Sequence, residues 1–166
     1  LSRMYKEFKN LQNEKSKIHD LIDSSFVIDL DIIPQDKSLP KAIIVDLDGT
    51  LCNIDHRLHF VQGTGKKDWK NFMYNIPGDS LNDWCHKILA NFKYSGWDIV
   101  LASGRSDNER INTVDWLAKH YIDYDMILMR PRDDHRQDYV VKQIILDFEI
   151  LPRYNVLFAI DDRDQV

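Results

Sequence analysis

Residues 42–51 read AIIVDLDGTL. Ala42, Ile43, Ile44 and Val45 form a short apolar run rich in β-branched residues, the pattern of a buried parallel strand. The run ends in Asp46, Leu47, Asp48, Gly49 and Thr50. Two carboxylates one residue apart raise each other's cost of ionisation. At the end of a buried strand such a pair needs a cation, a shared proton or open solvent.

Outward from this stretch, strand and helix patterns alternate. WDIVLAS (97–103), DMILM (125–129) and NVLFAIDD (155–162) read as further buried strands. Between them SLNDWCHKILANFKY (80–94), DNERINTVDWLAKH (107–120) and DYVVKQIILDFEI (138–150) read as helices. Ser80 is the expected N-cap of the first, with Leu81, Trp84, Ile88, Leu89 and Phe92 on one face and Gly96 ending it. Ile111, Val114, Leu117 and Ala118 are expected to face inward from the second. Such alternation predicts an α/β fold with a mainly parallel sheet and right-handed crossovers. On the N-terminal side, residues 2–22 follow an amphipathic helical stripe, SSFVIDLDII (24–33) reads as a short extended piece, and PQDKSLP (34–40) as a linker. A boundary at the linker divides the chain into residues 1–40, helix and linker, and a domain over 41–166. The chain begins with Leu1 rather than Met, which suggests a fragment.

The chain has 166 residues, 43% of them hydrophobic and 30% charged, ordinary values for a globular domain with a sizeable core. Its formal net charge of −5 argues against a long non-specific DNA groove, though not against a local basic site. No apolar run is long enough to span a bilayer, and no signal peptide is evident. The two cysteines, Cys52 and Cys85, form no C-x-x-C pair, so a reducing, cytoplasmic setting is expected.

In an open parallel sheet, ligands bind beyond the carboxyl ends of the strands. The first predicted strand delivers Asp46 and Asp48 there, the second Ser103, Gly104 and Arg105, the third Arg130, and the fourth Asp161 and Asp162. Convergent carboxylates repel, and a hard divalent cation relieves this; Mg²⁺ takes a few carboxylates and leaves room for phosphate and water. Thr50 and Ser103 offer hydroxyls. Gly49 and Gly104 allow close backbone approach, and Arg57, Arg105 and Arg130 can neutralise phosphate charge. Lys142 follows Asp138 by one helical turn.

Other readings of these motifs fail. A calcium loop needs glycine at its sixth position, whereas Gly49 is fourth from Asp46. GTGKK (63–67) lacks the earlier glycine and the following hydroxyl of a Walker loop. His56, His59 and His135 show no metal-ligand spacing and are read as non-catalytic. Trp69, Phe72, Trp84 and Trp97 are read as core residues rather than base-stacking platforms.

In order and spacing over 41–166, DLDGT, LASGR, Lys142 and IDDR resemble the four motifs of the haloacid dehalogenase (HAD) phosphohydrolase superfamily. The phosphatase half of phage-type polynucleotide kinase/3′-phosphatases is similar in more detail. It shares Arg57 nine residues after Asp48, the SGR turn, the segment from Met129 to Lys142, and AIDDR near the end. RMYK (3–6) is similar to the helix that joins that phosphatase to a kinase. The resemblance implies a Rossmannoid three-layer α/β/α fold with a small cap insertion, preceded by an N-terminal helix. It implies a Mg²⁺-dependent phosphomonoesterase that forms an aspartyl-phosphate and removes 3′-phosphates from RNA or DNA ends. The alternative within the superfamily is a phosphatase of free nucleotides or small metabolites.

The resemblance also assigns roles. Asp46 is the nucleophile and Asp48 the general acid and base. Mg²⁺ is held by Asp46, the Asp48 backbone carbonyl and Asp161, with Asp162 nearby. Ser103, Arg105 and Lys142 hold the transferring oxygens. Thr50, Arg57, Gly104, Arg130 and Asp138 complete the substrate site; Arg57 contacts the phosphate or the nucleic-acid backbone, and Asp138 orients a basic partner. The family continues past DDR with a helix and a strand, so truncation after Val166 is expected. A fused N-terminal kinase domain is expected outside this chain, its P-loop being absent here. Host cytoplasm is expected for a phage-encoded chain, no membrane partner is expected, and a homo-oligomer is left open.

Overall fold

The computed structural model describes residues 27–30 and 33–163. The expected helix at 2–22 and the RMYK segment lie outside them. The central sheet has five strands: β1 (Val27–Asp29), β2 (Lys41–Val45), β5 (Asp98–Ser106), β6 (Met126–Arg130) and β7 (Asn155–Ile160). They are ordered β1-β7-β2-β5-β6. β7, β2, β5 and β6 run parallel, as the alternating pattern predicts, and β1 pairs antiparallel with β7 at the edge. The short extended piece before the linker therefore joins the same sheet as the residues after it. A small two-stranded sheet pairs β3 (Cys52–Asn53) with β4 (Ser80–Leu81).

Helices cover both faces. α3 (Asp83–Tyr94) and α4 (Arg110–Lys119) lie on one side, α5 (Asp138–Ile145) on the other. The side-chain period of two in a strand separates the two cores. Ile43, Val45, Ile99 and Leu101 join Cys85, Leu89, Phe92, Trp116 and Leu117. Ala42, Ile44, Val100 and Ala102 join Val141 and Ile145. Between β3 and β4 lie two short helices, α1 (Asp55–Leu58) and α2 (Trp69–Tyr74), and a 3₁₀ turn, Ile76–Gly78. This is the small insertion that the resemblance implied.

Three helix expectations change. Ser80 does not cap α3: it pairs with Asn53 in the small sheet, and Asn82 takes the cap position. Ile111 is exposed, as is Ala118. The inward face of α4 carries Thr113, Trp116 and Leu117 instead. A 3₁₀ turn at Asp107–Glu109 delays the α-helix to Arg110, and the indole N–H of Trp116 donates to the Asp79 carbonyl at 2.8 Å. That bond anchors the ring and fixes which face turns inward.

Phe158 is fully buried and meets Phe92 edge-on at 5.3 Å. Phe158→Ala is expected to cost about 3–5 kcal/mol of stability, read as a lower urea midpoint at unchanged slope.

Candidate active site

After β2 the chain builds β5 and β6 on one side, then returns to place β7 on the other. The strand order thus reverses beside β2, and ligands bind at such a switch point. Asp46 leaves β2 there with its backbone N–H bound to the Ile160 carbonyl at 2.9 Å. This sets it against Asp161, the next residue after β7. A tight turn follows, in which the Cys52 N–H reaches the Leu47 carbonyl at 2.7 Å and Gly49 has φ +88°. A β-carbon on Gly49 would lie 2.1 Å from Asp162 Oδ2. Gly49 is therefore required twice, by its left-handed backbone and by the incoming carboxylate.

Lys142 holds the buried acids together. Its Nζ donates to Asp46 Oδ1 at 2.9 Å and to Asp161 Oδ2 at 2.5 Å, and lies 3.4 Å from Asp138. Burial opposes its charge, but the carboxylates of Asp46, Asp161 and Asp138 outweigh that and raise its pKa. Burial pushes Asp46 up to about 7 against the pull of Lys142, with Asp161 and Asp48 adding to the rise.

Asp48 has different partners. Arg105 donates to its Oδ1 through Nε at 2.9 Å and through Nη2, and Arg57 Nη2 reaches the same oxygen at 2.7 Å. Burial alone would raise Asp48; the two guanidiniums outweigh it and hold the carboxyl below the ordinary range. Asp79 completes this buried group. It accepts from Arg57 Nε and Nη2 at 2.6 and 2.7 Å and from Arg105 Nη2 at 2.7 Å. Two acids and two bases compensate one another. The register between β5 and β6 breaks between Ser103 and Ser106, and such a bulge re-aims the residues inside it, here Gly104 and Arg105.

A pocket of about 520 Å³ opens over these groups, within the range of small-ligand sites. Asp46, Asp48, Gly104, Arg105, Arg130, Asp138 and Lys142 border it, as do Trp69, His135 and Arg163. Arg130 reaches the Gly104 carbonyl and Asp138 Oδ1, both at 2.9 Å. A β-carbon on Gly104 would lie 2.1 Å from Asp138 Oδ1, so this glycine admits a carboxylate.

Other expected residues sit elsewhere. Arg57 is fully buried against Asp48, Asp79 and the Phe72 ring and does not border the pocket. Thr50 and Ser103 are buried and do not border the pocket; the Ser103 hydroxyl accepts from the Arg105 N–H at 3.2 Å. Trp69 is not core: it is exposed at the pocket edge. Asp79 escaped sequence reasoning because it falls outside every motif. The one signal was two arginines, Arg57 and Arg105, each bound for a buried position and needing counter-charge.

Asp46, Asp161 and Asp162 can bring carboxylate oxygens within 4.8 Å of one another. Asp162 Oδ1 is buried with no hydrogen-bond partner among the described residues, and burial, then Asp161, raises its pKa. An all-oxygen donor set with an orphaned carboxylate fits a hard divalent cation. The other such group, Asp48, Cys52 and Asp79, fits poorly: burial raises the Cys52 thiol pKa, and both acids are engaged by arginines.

Residues 40–166 match the family described as the polynucleotide kinase PNKP phosphatase domain. The chain belongs to that family. It is thus a HAD-type phosphatase, a class that uses a divalent metal. A protein of Autographa californica nuclear polyhedrosis virus, named as a bifunctional polynucleotide kinase/RNA ligase, is 31% identical over 132 residues, covering 79% of this chain and 18% of its own length. A structure of a Pnkp1/Rnl/Hen1 complex contains a chain 38% identical, with TM-score 0.68, covering 81% of this chain and 43% of that one. A structure of the Pnkp1/Rnl/Hen1 RNA repair complex gives 36% identity and TM-score 0.67, covering 88% of this chain and 42% of that one. This chain therefore spans less than half the length of each of these relatives. Among the described residues no helix is long and apolar enough to cross a membrane.

Asp79→Asn leaves two buried guanidiniums sharing one carboxylate. It is expected to cost about 3–5 kcal/mol of stability, measured by denaturant titration, and to slow phosphate release as Asp48 loses its fixed position.

Proposed function

We propose that this chain is a Mg²⁺-dependent phosphomonoesterase that removes the 3′-phosphate from polynucleotide ends, as a step in nucleic-acid repair. The observation that carries this reading is the contrast between two neighbouring aspartates under one pocket. Asp46 lies against Lys142 and the Asp161 carboxylate, and Asp48 is gripped by Arg57 and Arg105. In this reading the first is the nucleophile and the second handles protons.

The Asp46 carboxylate attacks phosphorus in line, forming an Asp46–phosphorus bond as the bond from phosphorus to the 3′-oxygen breaks. The leaving oxygen takes a proton from Asp48; water then attacks phosphorus and gives a proton to Asp48 as the Asp46–phosphorus bond breaks, freeing inorganic phosphate and the Asp46 carboxylate. The arginine grip favours ionised Asp48, the form the second step needs. A phosphate dianion in the pocket adds negative charge and raises the Asp48 pKa toward the form the first step needs. Lys142, Arg105 and Arg130 balance charge on the transferring oxygens. Mg²⁺ held by Asp46, Asp161 and Asp162 would supply the positive charge that lets an anionic nucleophile approach an anionic phosphate.

The small insertion between β3 and β4 leaves room for a polymer end over the pocket, which favours polynucleotides over sequestered metabolites. The kinase, ligase and repair-complex names of the relatives support a kinase or ligase acting alongside this domain, fused or in complex. Free cysteines buried at Cys52 and Cys85 support a cytoplasmic setting.

A 3′-phosphorylated oligonucleotide is expected to release inorganic phosphate with Mg²⁺, and its 5′-phosphorylated counterpart to release none. Asp46→Asn is expected to lose at least about 10³-fold in kcat with unchanged circular dichroism; substantial turnover in that variant would remove Asp46 from the reaction. Asp46 binds a proton below about 7, and proton and cation compete for the same carboxylate. Mg²⁺ affinity is therefore expected to weaken as pH falls through that value, by up to about tenfold per unit. Calorimetric titration one unit below and one unit above checks the sign.

A further inference from the structure

The segment GTGKKDWK, residues 63–70, takes no part in the chemistry above. Residues 62–70 are exposed throughout, and they include Lys66, Lys67 and Lys70 in a chain of net charge −5. Trp69 is 52% exposed. Single exposed apolar residues are ordinary, and Tyr74, Tyr94, Ile111, Tyr121, Tyr139 and Phe148 are others. Trp69 alone among them borders the catalytic pocket.

Its position is held on both sides. Asp68 caps α2 by accepting from the Asn71 N–H at 3.0 Å and the Asn71 side-chain amide at 2.7 Å. Phe72 meets the Trp69 ring edge-on at 5.7 Å and lies under the Arg57 guanidinium at 4.2 Å. The indole is thereby tied, through two contacts, to the buried charges that hold Asp48. The Lys67 ammonium stands 5.6 Å from the Trp69 ring centre. A fixed aromatic face beside a phosphate-handling pocket, with cations in the same segment, is how single-stranded nucleic acid is held.

We propose that Trp69 is the platform on which the nucleobase of the 3′-terminal nucleotide stacks, with Lys66, Lys67 and Lys70 supplying positive charge to the backbone phosphate upstream. The inference rests on the reading of this chain as a polynucleotide 3′-phosphatase. Every base has a π-face, so the platform tolerates all sequences and serves RNA and DNA ends alike. It gives the open pocket a reason to prefer a nucleotide end to a bare phosphate ester.

The test compares two 3′-phosphorylated oligonucleotides, identical except that one is abasic at its terminal nucleotide. Wild type is expected to show a KM roughly tenfold lower for the base-bearing end. Trp69→Ala is expected to erase that preference, and Trp69→Phe to keep most of it. In the Asp46→Asn protein, the base-bearing oligonucleotide is expected to quench indole fluorescence and the abasic one to leave it unchanged, which reads stacking without requiring the Trp69→Ala variant to fold. Phosphate release from both ends at equal KM, or a preference that survives Trp69→Ala, overturns the platform alone. Release from neither end overturns the 3′-phosphatase reading and the platform with it.

Discussion

Three carboxylates, Asp46, Asp161 and Asp162, lie at the ends of two adjacent parallel strands, the first two of them buried. Removing each charge from water costs several kcal/mol, and their mutual repulsion adds to that. Lys142 bridges Asp46 and Asp161, and the orphaned oxygen of Asp162 leaves a place for a cation to complete the compensation. The strand order, the glycine turn at Gly49 and the position of α5 are all consistent with this one requirement. β7 must return beside β2 to deliver two of the acids, Gly49 must lack a side chain to admit one of them, and α5 must cross this face of the sheet to bring Lys142.

A second buried charge group links the small insertion to the sheet. Arg57 and Asp79 come from the segment between β2 and β5, Asp48 and Arg105 from the strand ends. Because each guanidinium contacts both acids, the insertion cannot shift without exposing or unpairing a charge. The position of Asp48 therefore depends in part on Arg57 and Asp79, which do not border the pocket. Trp116 extends this link into the core by binding the Asp79 carbonyl, so α4 is part of the same assembly.

Much of this was legible in the chain. The four parallel strands follow from short apolar runs, and the polar residues after each run gave Asp46, Asp48, Arg105, Arg130 and Asp161 as neighbours, because carboxyl ends of parallel strands share one edge. Less legible were residues whose role depends on partners distant in sequence. Arg57 looked like a phosphate ligand and proved to be enclosed. Thr50 and Ser103 looked like phosphate-binding hydroxyls and lie beneath the pocket surface. Ile111 looked inward by period, but the 3₁₀ turn before α4 and the anchor on Trp116 set another face. Trp69 looked like core because most tryptophans are buried, and only its placement on α2 reveals it at the pocket edge.

The sequence by itself determined the alternation of strands and helices, the edge at which chemistry occurs, and the family, since each depends on local periodicity or on motif spacing along the chain. Tertiary structure alone decided which partners each carboxylate of DLDG meets. Asp46 and Asp48 are the same residue type two positions apart, and nothing local distinguishes them. Lys142 reaches one from 96 residues away, with Asp161 beside it, and Arg57 and Arg105 reach the other. Electrostatic environment is set by proximity in space: burial beside Asp161 raises the pKa of Asp46, while Arg105 and Arg57 hold that of Asp48 down in spite of burial.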